Sequence, residues 1–379
     1  MKMAIAAEIY PPDSGGPATF VARIAPILRE RGIALSIITY AGSLPNESDG
    51  VVRILKQGNL LQRYWHYFKK LLALAGSADL IFAQGPVAAG LPAILVKKLT
   101  GKKVIVKVVG DVAWERSRNQ GRVKEMVDEF QTHAHGFLIT CHKKLRSWTL
   151  KRADLVITPS QYLKKMICGW GVPAGKIKVI YNSFEAAHRA PVAKNQAKAN
   201  LSLEGDIILT VGRLASWKGF DTLINLMPEW LKLNPNFKLV IVGSGPEENN
   251  LKLKAQSLEL ADKVIFAGQK TQAEMTSYYQ AADYFILNSG YEGLSHSLLE
   301  ALSFNLPSIA SKIGGNPEVI DHNFNGLLVE YNNQKQIFIA IKSLWQNPDL
   351  AAKFIANSKD VLKQFTFEKM IEDYLSVLK

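Results

Sequence analysis

The sequence predicts an α/β protein built from two doubly wound, Rossmann-like domains in tandem. Three observations predict it. The chain has 379 residues, enough for two separate cores. Short apolar and β-branched runs alternate with segments of helical periodicity almost from end to end, the pattern of parallel sheets covered by helices. Over 182–201 that alternation stops, and the stretch NSFEAAHRAPVAKNQAKANL is rich in Ala, Asn and Lys, as interdomain linkers are. The expected division is a first domain over 1–183, a linker over about 184–199 and a second domain over 200–359. No internal repeat or low-complexity segment is evident.

Residues 2–9 read as the first strand. Glu8 interrupts the apolar run so early that a strand fits better than a secretory leader. The turn Pro11-Pro12-Asp13-Ser14-Gly15-Gly16-Pro17 leads into a helix with Phe20, Val21, Ile24, Ile27 and Leu28 on one face. This is not the G-x-G-x-x-G fingerprint, which counts against a dehydrogenase. Gly15 and Gly16 would let the backbone approach a ligand, and a plain tight turn explains them equally well. Further strands are expected at 34–39, 51–55, 79–83, 103–109, 154–158 and 176–181.

Residues 60–74, LLQRYWHYFKKLLAL, place Leu60, Leu61, Tyr64, Trp65, Phe68, Leu71 and Leu72 at helical spacing, with Arg63, His66, Lys69 and Lys70 between them. Two readings stay open. The helix either lies in a membrane interface with its basic residues on anionic headgroups, or packs its stripe on the sheet as an ordinary surface helix. The strand ending at Val109 delivers Gly110-Asp111-Val112, a polar turn at a carboxyl end where open α/β sheets bind ligands. Asp111 is therefore a candidate for contacting a ligand; its other reading is a helix N-cap. His133, His135 and His142 read as structural or solvated.

Charge is unevenly spread. Residues 1–185 carry 27 Lys or Arg against 13 Asp or Glu, while the remainder carries 19 against 20. The basic half calls for a negatively charged contact: nucleic acid, an anionic membrane or an acidic substrate. Trp65, Lys69, Lys70, Lys143 and Lys144 are candidates for that surface. No RNP or zinc-finger signature supports nucleic acid. No run of eighteen apolar residues indicates a spanning helix. Cys141 and Cys168 have no metal-ligand spacing and read as unpaired thiols in a reducing cytoplasm.

In the second half, a strand over 206–211 runs into Gly212-Arg213-Leu214-Ala215-Ser216-Trp217-Lys218-Gly219. A guanidinium and an ammonium converging in one turn suit a diphosphate. Strands at 238–242 and 264–266 end in the turns Gly243 to Glu247 and Gly268-Gln269. A strand over 283–287 feeds GYEGLSHSLLEALSFNLPSIASKIGGNP, residues 290–317. Gly293 and Ser295 are helix-opening types, so Glu292 belongs to the loop and Glu300 lies about a turn and a half inside the helix. Amides near Leu294 to Ser297 would hold an anion, while the two carboxylates accept hydrogen bonds from hydroxyls. Phosphate and sugar hydroxyls together describe a nucleotide-sugar. Beyond Pro307, a strand over 308–310 and the turn Gly314-Gly315-Asn316-Pro317-Glu318 lead to a second helix, and helices predominate from Gln334 onward.

EGLSHSLLEALSFNLPSIASKIGGNPEVI, together with the GR-x-x-x-x-KG turn, resembles the donor-binding signature of the retaining nucleotide-sugar glycosyltransferases of family 4. The resemblance implies the GT-B fold, two Rossmann-like domains facing across a cleft, with a C-terminal helix of about 360–379 packing back on the first. It implies transfer of a sugar from a nucleotide-diphosphate sugar with retention, without a metal or other cofactor. Arg213, Lys218, Glu292 and Asp111 then take catalytic positions; Gly15, Gly16, Gly243, Gly268, Gly293, Leu294, Ser295 and Glu300 bind the donor. Many relatives carry a histidine near Asp111, and this chain has none there. With the basic first half, the acceptor is expected to be anionic or lipid-linked, the protein to sit peripherally on the inner face of the cell membrane, and nucleic acid not to be a partner. An epimerase or phosphorylase of the same fold, a basic nucleic-acid- or membrane-binding protein without transferase activity, and a non-catalytic sensor are the alternatives.

Overall fold

The structure, a computed structural model, describes residues 1–13, 15–42, 50–184 and 192–378. Ser14 of the first turn, residues 185–191 of the expected linker and Lys379 lie outside the described residues. The chain divides into two compact units, Met1–Glu115 with Asp128–Ile180, and Arg116–Val127 with Tyr181–Lys379. The segment over 116–127 thus groups with the second unit, where a single boundary near 183 was expected.

The first unit runs β1 (Lys2–Ala6), α1 (Gly16–Glu30), β2 (Ala34–Ala41), β3 (Val51–Leu55), α2 (Leu60–Ser77), β4 (Leu80–Gln84), α3 (Gly90–Thr100) and β5 (Lys103–Lys107). It continues through α4 (Val112–Asn119), whose second half belongs to the other unit, α5 (Val127–Thr132), α6 (Phe137–Arg152), β6 (Leu155–Thr158), α7 (Gln161–Gly169) and β7 (Ile177–Val179). The sheet order is β3-β2-β1-β4-β5-β6-β7, with every pair parallel. All five residues of β4 are buried, as a strand covered on both faces requires. β1 ends at Ala6, short of the expected Ile9, because the chain turns there toward Pro11-Pro12, which lack the N–H groups a ladder needs.

The α2 helix begins at Asn59, whose side chain accepts a hydrogen bond from the Gln62 amide. It packs through Tyr67, Leu71 and Ala75. The Tyr67 hydroxyl donates to the carbonyls of Ala7 (3.0 Å) and Ile38 (3.3 Å), fastening the helix across β1 and β2. Tyr67 lies outside the apolar stripe read from the sequence, and of that stripe only Leu71 is among the helix's buried residues. Leu60, Leu61 and Trp65 remain exposed, 59, 81 and 54 %, beside the exposed Lys69 and Lys70. The helix therefore packs on the sheet through its middle and leaves an apolar, basic N-terminal end in solvent.

The second unit runs α8 (Lys194–Asn200), β8 (Asp206–Val211), α9 (Phe220–Leu233), β9 (Phe237–Val242), α10 (Glu248–Ser257), β10 (Val264–Gly268), α11 (Gln272–Ala281) and β11 (Tyr284–Leu287). There follow α12 (His296–Ser303), β12 (Ser308–Ser311), β13 (Leu327–Val329), α13 (Gln334–Gln346), α14 (Pro348–Leu362) and α15 (Phe367–Leu378). Its parallel sheet has the order β10-β9-β8-β11-β12-β13, flanked by one core around Trp230, Phe237, Ile286 and Phe354 and another around Tyr279, Phe285, Leu298 and Phe365. Strand addition reverses direction between β8 and β11. Their loops diverge there, which opens a crevice at the carboxyl ends.

Three local features differ from the sequence reading. Part of the expected linker is the helix α8, because Lys194 and Lys198, one turn apart, both pair with Asp283 (2.9 and 2.7 Å) while Ala197 is buried. The turn at Asn316 forms a single 3-10 turn, Asn316–Glu318, instead of a second helix. The strand β13 is only three residues long, too short to leave a periodic signal. By its contacts α15 groups with the second unit, burying Met370, Ile371, Tyr374 and Leu378. Among the described residues, no helix is long and apolar enough to cross a membrane.

Candidate functional site

The loops at the carboxyl edge of the second sheet are knitted together by their own backbones. Gly212 donates to the Val242 carbonyl, Gly243 to Gly268, Leu214 to Ser244, and Gly290 to Trp217, at 2.7 to 3.0 Å. Gly243, at φ 138°, passes so close that a Cβ there would lie 1.9 Å from the Gly212 oxygen. Gly314, at φ 63°, approaches the Glu292 carbonyl in the same way, and Gly315 donates to that carbonyl at 3.0 Å. Only glycine combines such φ values with backbone contact.

Beneath these loops lies a buried polar layer. Asn288 donates to the Gly219 carbonyl (3.1 Å) and to Asn332 (2.8 Å). Ser311 donates to the Ser289 carbonyl at 2.5 Å, and Asn316 donates to the Ser311 carbonyl at 3.1 Å. Networks of this kind hold loops in one geometry, and here only the Asn316 Oδ1 lacks a partner among the described residues. Sequence reasoning did not single out Asn288 or Ser311, and Asn316 entered only as part of a turn.

In this frame Lys218 and Glu292 meet. The Lys218 Nζ donates to the Glu292 Oε1 at 2.5 Å, with side chains only 16 and 12 % exposed. Arg213, on the same loop as Lys218, is exposed, and among the described residues its guanidinium makes no ion pair or hydrogen bond. α12 starts as the sequence implied. Ser295 is its N-cap, accepting from the Leu298 amide at 3.3 Å, which leaves Glu292 in the loop and Glu300 on the fifth helical residue. Among the described residues the amides of Gly293, Leu294 and Ser295 donate no hydrogen bond, so three N–H groups remain available beside the positive end of the helix. The Leu294 side chain itself is buried in the core.

Glu300 is gripped from two sides. Tyr279 Oη donates to one oxygen at 2.8 Å and Gln272 Nε2 to the other at 3.1 Å. Burial, reinforced by the Glu300 charge, holds the Tyr279 phenol well above its usual pKa, so it remains a permanent donor. Neither Tyr279 nor Gln272 was legible as a site residue, since both contacts span an α11–α12 gap that no local pattern encodes.

The comparisons with known proteins bear on the family and the fold. Residues 14–187 match the profile "Glycosyltransferase Family 4", and residues 192–361 match "Glycosyl transferases group 1". A Rhizobium meliloti protein named lipopolysaccharide core biosynthesis glycosyltransferase LpsD is 32 % identical over 64 % of this chain and 68 % of its own length. The chain belongs to glycosyltransferase family 4.

An uncharacterized glycosyltransferase of Haemophilus influenzae is 35 % identical over 46 % of the chain, a match that spans only half of that relative's length. The alpha-monoglucosyldiacylglycerol synthase of Streptococcus pneumoniae is 26 % identical over 99 % of the chain and 85 % of its own length. Among solved structures, Anabaena HepE in complex with UDP superposes with a TM-score of 0.81 at 20 % identity, covering 100 % of this chain and 99 % of that one. The fold of this family 4 member is therefore GT-B.

The remaining expected residues of this glycosyltransferase lie in the first unit, each in a different local setting. Gly15 caps α1 and Gly16 is its first residue, with open space where a Cβ would stand. Asp111 is fully buried. Its Oδ1 accepts from the Ala113 amide at 3.0 Å, capping α4, and its Oδ2 accepts from Gln131 at 2.9 Å and pairs with Arg146. The N-cap reading is the one realised, and the expected ligand contact is corrected: no carboxylate oxygen reaches the surface. Lys143 is likewise committed, donating to the Phe130 carbonyl at 2.8 Å and the Gln131 carbonyl at 3.3 Å, whereas Lys144 is exposed. Both cysteines are free thiols, and no group of three metal-binding side chains occurs among the described residues.

Proposed function

We propose that the chain transfers a sugar from a nucleoside-diphosphate sugar to an anionic or lipid-linked acceptor, with retention at the anomeric carbon and without a metal. The observation that carries the reading is the Lys218–Glu292 pair set beside the three unpaired amides at the head of α12. As the bond from the anomeric carbon to the diphosphate oxygen breaks, negative charge builds on the leaving phosphate. Lys218, Arg213 and the amides of Gly293 to Ser295 are placed to meet that charge, so this step needs no metal from the chain's own chemistry. Glu292 accepts a sugar hydroxyl and keeps the ammonium oriented until the donor arrives. Glu300, fixed by Tyr279 and Gln272, accepts the ribose hydroxyls. The acceptor oxygen bonds to the anomeric carbon on the face the diphosphate leaves, and its proton passes to a phosphate oxygen of the departing nucleotide.

The lipid-linked acceptor is supported by the basic first 185 residues and by the exposed Leu60, Leu61 and Trp65 beside Lys69 and Lys70. These features support a reading in which α2 lies on an anionic membrane, with the protein on its inner face. The printed names of two relatives, a lipopolysaccharide core enzyme and a diacylglycerol glycolipid synthase, favour the same acceptor class. A thermal-shift panel of UDP, GDP, ADP and CDP, with and without a divalent cation, tests the donor site. One nucleotide should stabilise the protein regardless of cation and lose that effect in Glu300→Ala. Stabilisation that requires the cation would refute the metal-independent reading, and anomeric NMR of the product decides retention.

A further inference from the structure

Apart from the β8–β11 crevice, a cavity of about 830 Å³ lies between α5, α6 and α7. It follows α7 from Tyr162, near the end of β6, to Gly169 and Trp170 at the far end of that helix. The groove therefore runs along the flank of the first sheet instead of closing over its carboxyl ends.

Its lining is strongly basic. Lys143, Lys144, Arg146, Lys151, Arg152 and Lys165 line it against a single acid, Asp128, which accepts the Tyr162 hydroxyl at 2.8 Å. Lys143 and Arg146 are engaged with the α5–α6 carbonyls and with Asp111. Lys144, Lys151 and Lys165 are exposed, and among the described residues none of them forms an ion pair. Several cations around one concavity raise its potential and concentrate anions there.

Two indole rings are held in the walls. Trp170 lies 3.5 Å from the Arg146 guanidinium and donates its Nε1 to Gln131 at 2.8 Å. Trp148 is flanked by Lys98 at 5.0 Å and Arg152 at 4.4 Å. Each ring already carries a cation over its plane and Trp170 is only 7 % exposed, so what the indoles offer a carbon skeleton is their remaining exposed apolar surface, and the volume is that of a site for a small organic molecule, much larger than one phosphate fills.

We propose that this groove binds a phosphate-bearing headgroup with a sugar or glycerol moiety next to the phosphate. Lys144, Lys151 and Lys165 take the phosphate oxygens, and Trp148 and Trp170 pack on the adjoining skeleton. The site is separate from the nucleotide crevice and stands whether or not the transfer reading does. The ligand comes either as a free phosphate ester or as the headgroup of an anionic lipid.

The test uses the whole chain and its Lys151→Glu/Lys165→Glu variant. Calorimetric titration with glucose 1-phosphate and glycerol 3-phosphate probes the free ester. Cosedimentation with phosphatidylcholine vesicles, with and without phosphatidylglycerol, probes the lipid, both proteins then also carrying Trp65→Ala, Lys69→Glu and Lys70→Glu to remove any contact through α2. The expected result is binding that salt weakens and that the variant loses by about tenfold or more, the worth of one or two charge-assisted hydrogen bonds. Nucleotide-induced stabilisation should be unchanged in the variant, which separates this site from the donor crevice and reports intact folding. Binding of the soluble esters assigns a free ligand and binding of vesicles alone assigns a lipid; either supports the proposal. No binding of any probe, binding that the variant retains, or binding of an oligonucleotide in place of these probes overturns it.

Discussion

The contact between Lys218 and Glu292 yields the most exacting prediction. Lys218→Ala, Glu292→Ala and the double variant form a cycle around an ion pair 2.5 Å long whose side chains are 16 and 12 % exposed. At an effective dielectric of about 20, unit charges some 3 Å apart attract by roughly 5 kcal/mol before desolvation is counted. Removing one partner of a largely buried pair typically costs about 3–5 kcal/mol, because the other charge is stranded. The crevice is open to solvent on one side, so each single variant should lose about 2–3 kcal/mol in urea unfolding. The double variant should lose less than the sum by about 1.5 kcal/mol or more. Nucleotide binding separates the two roles. Lys218→Ala removes a charge-assisted bond to the diphosphate and should weaken nucleoside diphosphate binding about tenfold. Glu292→Ala should leave that binding unchanged or tighter, since the ammonium is no longer shared. Additive single losses, or equal weakening of the nucleotide by both variants, would refute the reasoning.

Three further outcomes can be measured directly. Glu300→Ala leaves the Tyr279 hydroxyl, on a residue only 1 % exposed, with the Ser297 carbonyl at 3.5 Å as its remaining acceptor and should cost about 1–2 kcal/mol in thermal unfolding, whereas Glu300→Gln keeps the closer acceptor and should cost less than half as much. Gly314→Ala puts a Cβ 2.1 Å from the Glu292 oxygen at φ 63° and should lose at least about 2 kcal/mol together with nucleotide stabilisation; Gly16→Ala, which meets nothing within 4 Å, should be neutral or slightly stabilising by the same assay. Lys107 is buried with its Nζ against the Phe20 ring, and burial holds its pKa well below the usual lysine value. Between its folded and unfolded pKa values the unfolded chain binds the extra proton, so stability rises with pH across that window. Lys107→Met should flatten this rise and add stability near neutral pH, and a pH series of urea unfolding curves with unchanged slope would contradict it.

Local chemistry was the readable part. The strand over 206–211 has the boundaries its apolar run implied, because a strand inside a sheet covered on both faces is apolar through its middle, and the edge strand over 51–55, only half-buried and carrying Arg53, kept its expected bounds as well. The start of α12 was legible for a similar reason: an N-cap is a side-chain contact over three residues, and Ser295 carries it within its own neighbourhood. Asp111 shows where such reading stops. Its capping bonds are local, but Arg146, which completes its burial, comes from 35 residues away. Lys194 and Lys198 looked like linker composition until Asp283, in another element, gave both a partner.

Composition, alternation and turn chemistry by themselves determined two doubly wound α/β units, their family resemblance and the side of each sheet on which ligand groups gather. These follow from interactions between residues close in sequence, whose geometry the backbone's few allowed conformations dictate. The tertiary structure decided which side chains meet: Lys218 with Glu292 across 74 residues, Glu300 with Tyr279 across 21, and the basic groove between α6 and α7. Those meetings depend on strand order, since β11 lies beside β8 only after two intervening strands have been placed on the other side. No local pattern carries that information, because it is the packing of whole elements, not the preference of any segment, that selects the order.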